Sequence, residues 1–549
     1  MSSDANAATS PQVMTAPFEP TVPAMEDWLV DNYRHHARCI GSSGAASFDA
    51  VAERSKIVSR ALLASNLPKG CRVGMLMPNG PEFLAALTGI IGAGGHAVML
   101  STLARPAELA HMIRHSDIDT LLMVPGYLGR NYVSEIEVAL PSLTSSTGAG
   151  PLRLEEAPFL RSVWIMGHDH PVWAKGCTAR FDALSREVSG EFLALVRKEI
   201  VPADPALMIY SSGVTSEPKA IVHSNGNLAR HAWRMSRYMT YAPGDRLMTT
   251  MPFFWVGGLC TSAYAANLRG AAIVCPERPS VDGMREAVDR LGVTHAALWP
   301  AQLNALISSP GFGDVRQRLK PTSSQQLSLF GLATPDCTPN ALGMTETLGC
   351  HTMELFPGTL PDGHAGSFGR PVPGYEHRIV DPETGLPVAV GETGEILVRG
   401  GSLMQGFHRR ERSDVFRDDG FYNTGDLGCV GPDGHMYFKG RSGDIAKVSG
   451  ANVSLSEVEF ALMQLPGVGE AVVVNVPTPD AGDVLVAAVV PMSEATLHVE
   501  RMREDLRERI ASYKVPRKFV IMDGAGIPRT ASAKVRRAEL RDMLIASSD

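Results

Sequence analysis

The sequence predicts an α/β protein: a large N-terminal domain of parallel sheets covered by helices, a β-rich subdomain near residues 366–440, and a small α+β C-terminal domain. Three observations predict it. Short apolar runs alternate with amphipathic helical stretches over residues 25–124 and again over 227–306, as parallel strands joined by helical crossovers do. Past about Gly366, short apolar segments are parted by Pro, Asp and Gly turns, which reads as antiparallel strands. Alternation then resumes over residues 445–549, as in a separate domain. A chain of 549 residues is also too long for one hydrophobic core.

In chain order, residues 1–22 are Ala-, Ser-, Thr- and Pro-rich with neither a basic start nor an apolar core, so they read as a disordered tail rather than a signal peptide. Arg72–Met77 reads as a strand, Pro81–Gly92 as a helix, His96–Leu100 as a strand and Pro106–His115 as a helix. The Gly/Ser/Thr-rich stretch Ser142–Gly150 reads as a surface loop. Ala206–Ile209 is a short apolar run, hence a buried strand. Further on, Ala271–Val274 and His295–Leu298 read as strands and Val281–Leu291 as a helix. In the β-rich part, His377–Val380, Gly394–Arg399 and His435–Phe438 are strands. In the last domain Ser454–Gln464 and Val499–Ser512 read as helices, and Glu470–Val474 and Val484–Val490 as strands.

Composition narrows the function. The net charge is −7 with Lys and Arg scattered, so no basic field for nucleic acid or an anionic membrane is implied. The eight cysteines show no paired spacing, which argues against a disulfide framework or a zinc site and fits a reducing cytoplasm. No apolar run reaches 18 residues, so no stable membrane insertion is expected.

The chemistry begins at Tyr210-Ser-Ser-Gly-Val-Thr-Ser-Glu-Pro-Lys219, directly after the buried strand. Consecutive backbone N–H groups with hydroxyls and a lysine beside them make a concavity for anionic oxygens. It is not a Walker A loop, because Pro218 stands at the second glycine and Ala220 follows the lysine. Leu342-Gly-Met-Thr-Glu-Thr347 offers a hydroxyl and a carboxylate after a glycine, donors that suit Mg²⁺ on phosphate oxygens, although a capped helix start would look the same. Tyr422-Asn-Thr-Gly-Asp426 places a carboxylate on a turn between strands, where it could accept both hydroxyls of a ribose. Lys439 to Gly450 joins the β-rich part to the last domain, and Pro528-Arg-Thr-Ala-Ser-Ala-Lys534 lies near the C-terminus.

In that order, with MPFFWVGGL between the first two, these segments resemble the adenylate-forming superfamily of acyl-CoA synthetases, luciferases and peptide-synthetase adenylation domains, over nearly the whole span from Met25 to Leu544. The resemblance implies two half-reactions, in which a carboxylate attacks the α-phosphorus of ATP and a thiol then displaces AMP. It implies that Ser211, Ser212, Gly213, Thr215 and Lys219 hold the β- and γ-phosphates, that Thr345 contacts the α-phosphate, and that Glu346 holds Mg²⁺. Leu342, Gly343 and Met344 would border the nucleotide, Asp426 and Arg441 would fix the ribose, and Lys534 would bridge the acyl carboxylate and α-phosphate. The division implied is an AMP-binding N-terminal domain over 23–440, a hinge over 441–444 centred on Gly443, and a mobile lid over 445–549. Coenzyme A would pass Lys447, Ser449 and Gly450, and the acyl group would meet Phe254, Trp255, Gly257 and Leu348.

Some positions depart from the family pattern. Leu342 replaces an aromatic on adenine, Trp255 a histidine, Gly443 a charged hinge residue and Ala533 a glycine, and no Gly-rich adenine loop is recognisable between Lys320 and Asn340. The phosphate, ribose and lysine positions are all present, so these departures read as tuning. His168-Asp-His170 lacks further ligands and His223 reads as a structural histidine. The reading that follows is a free-standing ATP-dependent acid–CoA ligase for a hydrophobic monocarboxylic acid (fatty, aryl or isoprenoid), with a homodimer as one option for its assembly. An adenylation enzyme that feeds a carrier protein and a non-catalytic nucleotide-binding relative are the alternatives.

Overall fold

The computed structural model describes residues 14–546 except 42–43, 148–149, 168–169, 177, 212–218, 311–312, 314–316, 324–325, 328–329, 331–339, 356–359, 442–443, 449–450, 479–481, 493–494, 508, 511–513 and 531–533. The chain divides into two compact units: residues 1–211, 217–376 and 399–415 form the first, and residues 212–216, 377–398 and 416–549 the second.

Two sheets organise the first unit. The larger has eight strands in the order Gly406–Phe407, Lys219–Ser224, Pro205–Ser211, His96–Met99, Arg72–Leu76, Thr120–Met123, Ser162–Ile165 and Lys175–Gly176. From Pro205–Ser211 outward to Lys175–Gly176 every pairing is parallel, as the alternating sequence predicts. The other edge is antiparallel, because Lys219–Ser224 folds straight back along Pro205–Ser211. The second sheet runs His295–Ala297, Arg246–Thr249, Ala272–Val274, Ala37–Gly41 and Gly44–Ser47, parallel except for its final hairpin.

The helix Pro81–Gly92 is the centre of the core and is buried from Phe83 to Gly92 on every face, which accounts for its almost wholly apolar sequence. Its Gly89 lets it approach the helix Phe48–Ala64 closely; a Cβ there would lie 2.6 Å from the Val58 Cβ and 2.8 Å from the Ser55 carbonyl. Ser59 uses the same closeness to donate to the Gly89 carbonyl at 2.7 Å. No helix among the described residues is long and apolar enough to cross a membrane. The described cysteines (39, 71, 260, 275, 350 and 429) are free, and Cys177 and Cys337 lie outside the described residues.

The second unit has a four-stranded sheet in the order Tyr375–Val380, Gly394–Gly400, Tyr422–Val430, Met436–Arg441, whose outer ends at 375–376 and 399–400 fall to the first unit. It also has a five-stranded sheet built on the long antiparallel hairpin Val468–Thr478 and Gly482–Pro491, with the helices Leu455–Met463, Val499–Arg507 and Arg537–Ala546.

Three local readings change. Residues 14–22 are not a disordered tail: Met14 is buried, and Phe18 packs edge-on to Trp233 at 5.8 Å and beside Trp28 at 5.7 Å, before Thr21 caps the helix Val22–Tyr33. An aromatic anchor supplies the burial that a composition count misses. Pro141–Ser145 is a 3₁₀ turn rather than open loop, pinned by the buried Leu143. Asp426 lies inside the strand Tyr422–Val430 and not on a turn, because Gly425 takes φ +74° within the strand and lets pairing continue past it.

A buried ion pair ties the N-terminal helix to the second sheet. Arg38 is fully buried and meets both oxygens of Glu26, at 2.5 and 2.8 Å, while Asn267 accepts from its Nε. Removing one partner strands a charge in the core. Glu26→Ala is therefore expected to destabilise the protein by about 3–5 kcal/mol, measured by urea unfolding, whereas replacing both residues by apolar ones of matched volume costs far less.

Candidate active site

Tyr210 pairs with Ala220 and Ser211 with Lys219, so Lys219–Ser224 runs antiparallel along Pro205–Ser211, whose other neighbour is the parallel strand His96–Met99. Crevices at the carboxyl ends of such strands are where α/β folds bind ligands. Ser212, Gly213 and Thr215 lie outside the described residues, and of Ser211 only the backbone is described. Lys219 begins the return strand, with its ammonium 5.2 Å from the Phe407 ring centroid, a cation–π contact that holds the lysine stem against the sheet edge.

The same strand carries His223, which is wholly buried, with Nε2 2.8 Å from the Thr345 carbonyl. Burial pushes its pKa down to about 4, so the ring is neutral. A carbonyl can only accept, so Nε2 carries the proton, and Nδ1 is left to accept from the Asn227 amide 3.5 Å away. His223 is thus a structural residue as its sequence context indicates, and what it positions is the acidic turn.

That turn follows the strand Leu342–Met344, which pairs antiparallel with Gly349–Met353. Gly343 permits the pairing, since a Cβ there would sit 2.6 Å from the Gly349 carbonyl. Thr345–Thr347 form one 3₁₀ turn, locked by Thr347 Oγ1, which accepts from the Met344 N–H at 3.2 Å and donates to the Gly349 carbonyl at 2.7 Å. Leu348 then takes φ +58°, an uncommon value for a leucine, and its fully buried side chain holds it there. Met404 donates its N–H to the Glu346 carbonyl at 2.8 Å, and the Glu346 side chain is buried. Lys219, Thr345 and Glu346 therefore sit on elements joined by the His223 hydrogen bond.

In the first unit too, Asn79 accepts from Phe253 N–H at 2.7 Å and donates to the Met251 carbonyl at 2.8 Å, fixing the loop that bears Phe254 and Trp255. Phe254 is buried, and Trp255 stands edge-on to it at 5.1 Å and to Trp299 at 6.0 Å. Gly257 opens an eight-residue π-helix, Gly257–Tyr264. π-helical turns recur at functional sites. Sequence reasoning missed Asn79 and Trp299, whose only signal was a position just past a predicted strand.

The second unit holds the rest. Asp426 and Arg441 are register partners on adjacent strands, and Arg441 Nε donates to Asp426 Oδ1 at 2.9 Å. Asp426 is only 4% exposed, and burial raises its pKa against the opposing pull of Arg441. Its backbone is fixed by Thr424 Oγ1, which accepts from Asp426 N–H at 3.0 Å and donates to the Ile396 carbonyl at 2.7 Å. Lys534 is exposed, and Thr530 N–H donates to its carbonyl at 2.8 Å while its own N–H donates to Thr530 Oγ1 at 3.2 Å. Arg529, just before Thr530, pairs with Glu470 on the strand Val468–Thr478. Lys447 lies on the strand Ile445–Val448, while Gly443, Ser449 and Gly450 lie outside the described residues. Arg537, which sequence reasoning passed over, binds Asp444 at 3.3 Å and Glu459 at 2.5 Å and so ties the segment after residue 443 to the last helix. Of the His168–His170 pair only His170 is described, exposed, with Nδ1 3.2 Å from the Pro171 carbonyl.

Family models for the AMP-binding enzyme and for the AMP-binding enzyme C-terminal domain match residues 27–408 and 457–534. The chain belongs to the AMP-binding enzymes, the adenylate-forming superfamily. Among its relatives, a 3-hydroxybenzoate–CoA ligase from Aromatoleum is 30% identical over 524 residues, covering 92% of this chain and 93% of that one. A sulfoacetate–CoA ligase from Cupriavidus necator is 28% identical over 513 residues, covering 91% and 92%. The fold matches a crystal structure of the anthranilate–CoA ligase AuaEII in complex with anthranoyl-AMP, at a TM-score of 0.79 and 22% identity over 98% of this chain and 99% of that one.

In this AMP-binding enzyme four buried histidines share one electrostatic signature: burial lowers His96, His223 and His295 to about 4 and His231 to about 3. The unfolded chain binds protons near pH 6.5, where the folded one does not. Stability is therefore expected to be flat above pH 6.5 and to fall as pH drops from 6.5 toward 4, by urea midpoints across a pH series. His223→Gln should flatten part of that slope.

Proposed function

We propose that this chain is an ATP-dependent, AMP-forming acid–CoA ligase that activates a hydrophobic monocarboxylic acid. The observation that carries the proposal is the His223–Thr345 hydrogen bond, which fixes the Lys219 strand beside the Thr345–Glu346 turn. The 3-hydroxybenzoate–CoA ligase among the relatives supports both the reaction class and an aromatic option for the acid. A carboxylate oxygen of the acid attacks the α-phosphorus and pyrophosphate leaves; the CoA sulfur then attacks the acyl carbon, the mixed anhydride breaks and AMP leaves. Two anions meet in the first step, so positive charge and oriented dipoles are what the site must supply.

In this reading Ser211, Ser212, Gly213, Thr215 and Lys219 cradle the β- and γ-phosphates, with Thr345 at the α-phosphate. A buried carboxylate on a rigid turn is a hard oxygen donor, so Glu346 fits Mg²⁺, which would offset phosphate charge when bound. Asp426 receives the ribose hydroxyls while Arg441 holds its carboxylate in place, and Leu342–Met344 border the base. Lys534 neutralises the charge that develops between acid and α-phosphate. The lid over 445–549 turns about residues 441–444 between the half-reactions, and Lys447, Ser449 and Gly450 then border the CoA path. Phe254, Trp255, Gly257 and Leu348 line the acyl pocket, where Trp255 and Trp299 offer edge-on rings to a flat or branched apolar group. A reducing cytoplasm suits the free thiols.

Lys534→Ala is expected to slow pyrophosphate release by about 10²–10³-fold while sparing CoA transfer from a synthetic acyl-adenylate; equal loss in both half-reactions would remove Lys534 from its role. Asp426→Ala should raise the KM for ATP by on the order of tenfold or more, from the loss of charge-assisted hydrogen bonds, with thermal stability as the folding control. A pyrophosphate-release screen over acids of graded length and aromaticity, with and without CoA, tests the reaction. Acyl-adenylate that persists in CoA and moves only to a carrier protein would replace the ligase reading.

A further inference from the structure

The strand that carries Asp426 is interrupted at one point. Against its neighbour Gly394–Gly400, Leu427 pairs with Glu395 and Asn423 with Leu397, so Thr424, Gly425 and Asp426 stand opposite the single residue Ile396. A bulge takes backbone groups out of the ladder, and buried ones then need other partners. Gly425 makes the bend, with φ +74°. Thr424 Oγ1 serves two of the released groups: it accepts from Asp426 N–H and donates to the Ile396 carbonyl.

The third is served by a side chain of the neighbouring strand. Glu395 Oε1 accepts from Gly425 N–H at 3.2 Å, while Oε2 accepts from the Asn423 side-chain amide at 2.9 Å. One carboxylate thus grips the bulge at its middle and at the residue that precedes it, through charge-assisted hydrogen bonds. The arrangement opposes the charge it sits beside. Burial raises the Asp426 pKa most, Arg441 lowers it, and the charges of Asp444 and Glu395 raise it further. A glutamine would spare Asp426 that repulsion, but it has one acceptor oxygen where two donors converge. The choice of glutamate therefore favours the shape of the bulge over the ease of ionising Asp426.

We propose that Glu395 is a positioning residue for the nucleotide: by holding Gly425 N–H it aims the Asp426 carboxylate at the ribose hydroxyls. The proposal rests on the ligase reading's placement of the ribose at Asp426 and adds the residue that sets the direction of that carboxylate. Glu395 acts only through the bulge. With its side chain truncated, Gly425 loses its hydrogen-bond acceptor, and glycine turns at little cost. Asp426 then keeps its strand and its Arg441 partner but loses its aim.

The test measures ribose discrimination on the full-length protein, by titration calorimetry with ATP, 2′-deoxy-ATP and 3′-deoxy-ATP. Wild type is expected to bind ATP about 10-fold or more tighter than at least one analogue, as the loss of a hydrogen bond to a charged group requires. Glu395→Ala should bring that ratio close to one, and Glu395→Gln should keep part of it. In an Asp426→Ala background, Glu395→Ala should add less than about twofold to the loss, because residues that act as a unit are not additive. A purely structural Glu395 gives another pattern: ATP and both analogues weaken together, or the two substitutions add in full. Either result overturns the proposal, as does a wild-type ratio retained in Glu395→Ala. If Glu395→Ala does not fold by circular dichroism, Glu395→Gln decides by the same ratio. Wild type that binds all three nucleotides alike overturns the placement of the ribose at Asp426 and this proposal with it, while pyrophosphate release from any acid leaves the ligase reading standing. A ratio lost in Glu395→Ala, with no pyrophosphate released from any acid, supports this proposal and overturns the ligase reading.

Discussion

The first unit depends on one constraint: the strand Lys219–Ser224 must run antiparallel to Pro205–Ser211, in register, at the edge of an otherwise parallel sheet. Pro205–Ser211 supplies the rigid side, with parallel pairing to His96–Met99 behind it. Lys219–Ser224 supplies the return and is itself paired to Gly406–Phe407. His223 then carries that rigidity sideways, because its single proton can serve only one carbonyl and that carbonyl belongs to Thr345. A neutral histidine suits the task. A protonated ring would bring a charge into a fully buried position, whereas a neutral one fixes direction through the tautomer alone.

Charge is distributed in the opposite manner at Asp426. There a carboxylate is kept inside a strand by Gly425, Thr424 and Arg441, and its raised pKa records how far burial outweighs the neighbouring guanidinium. Such a group is costly to hold in the absence of a partner, and costly groups held in place mark functional sites more often than structural ones. Lys534 is the reverse case, an exposed residue that follows the Arg529–Glu470 pair in the chain.

Much of the fold was legible in the sequence because its signals are local. Pro81–Gly92, Pro106–His115 and Val281–Leu291 occupy the spans that their periodicity predicts, each opened by a proline or a serine cap. Readings failed where a distant partner decided the outcome. Phe18 orders residues 14–22 only because Trp28 and Trp233 are there to receive it, and the antiparallel edge of the large sheet depends on residues 406–407, nearly two hundred positions beyond the hairpin they pair with.

The candidate site divides along the same line. The order of chemical groups along the chain, from the hydroxyl-rich loop through Thr345 and Glu346 to Asp426, Arg441 and Lys534, was set by the sequence alone, since each short segment carries its own turn chemistry and side-chain type. Only the tertiary structure could reveal that His223 serves the Thr345 carbonyl and that Arg441 faces Asp426 across a strand pair. Hydrogen bonding and burial are properties of neighbours brought together by folding, and no spacing in a linear chain encodes which neighbours those will be.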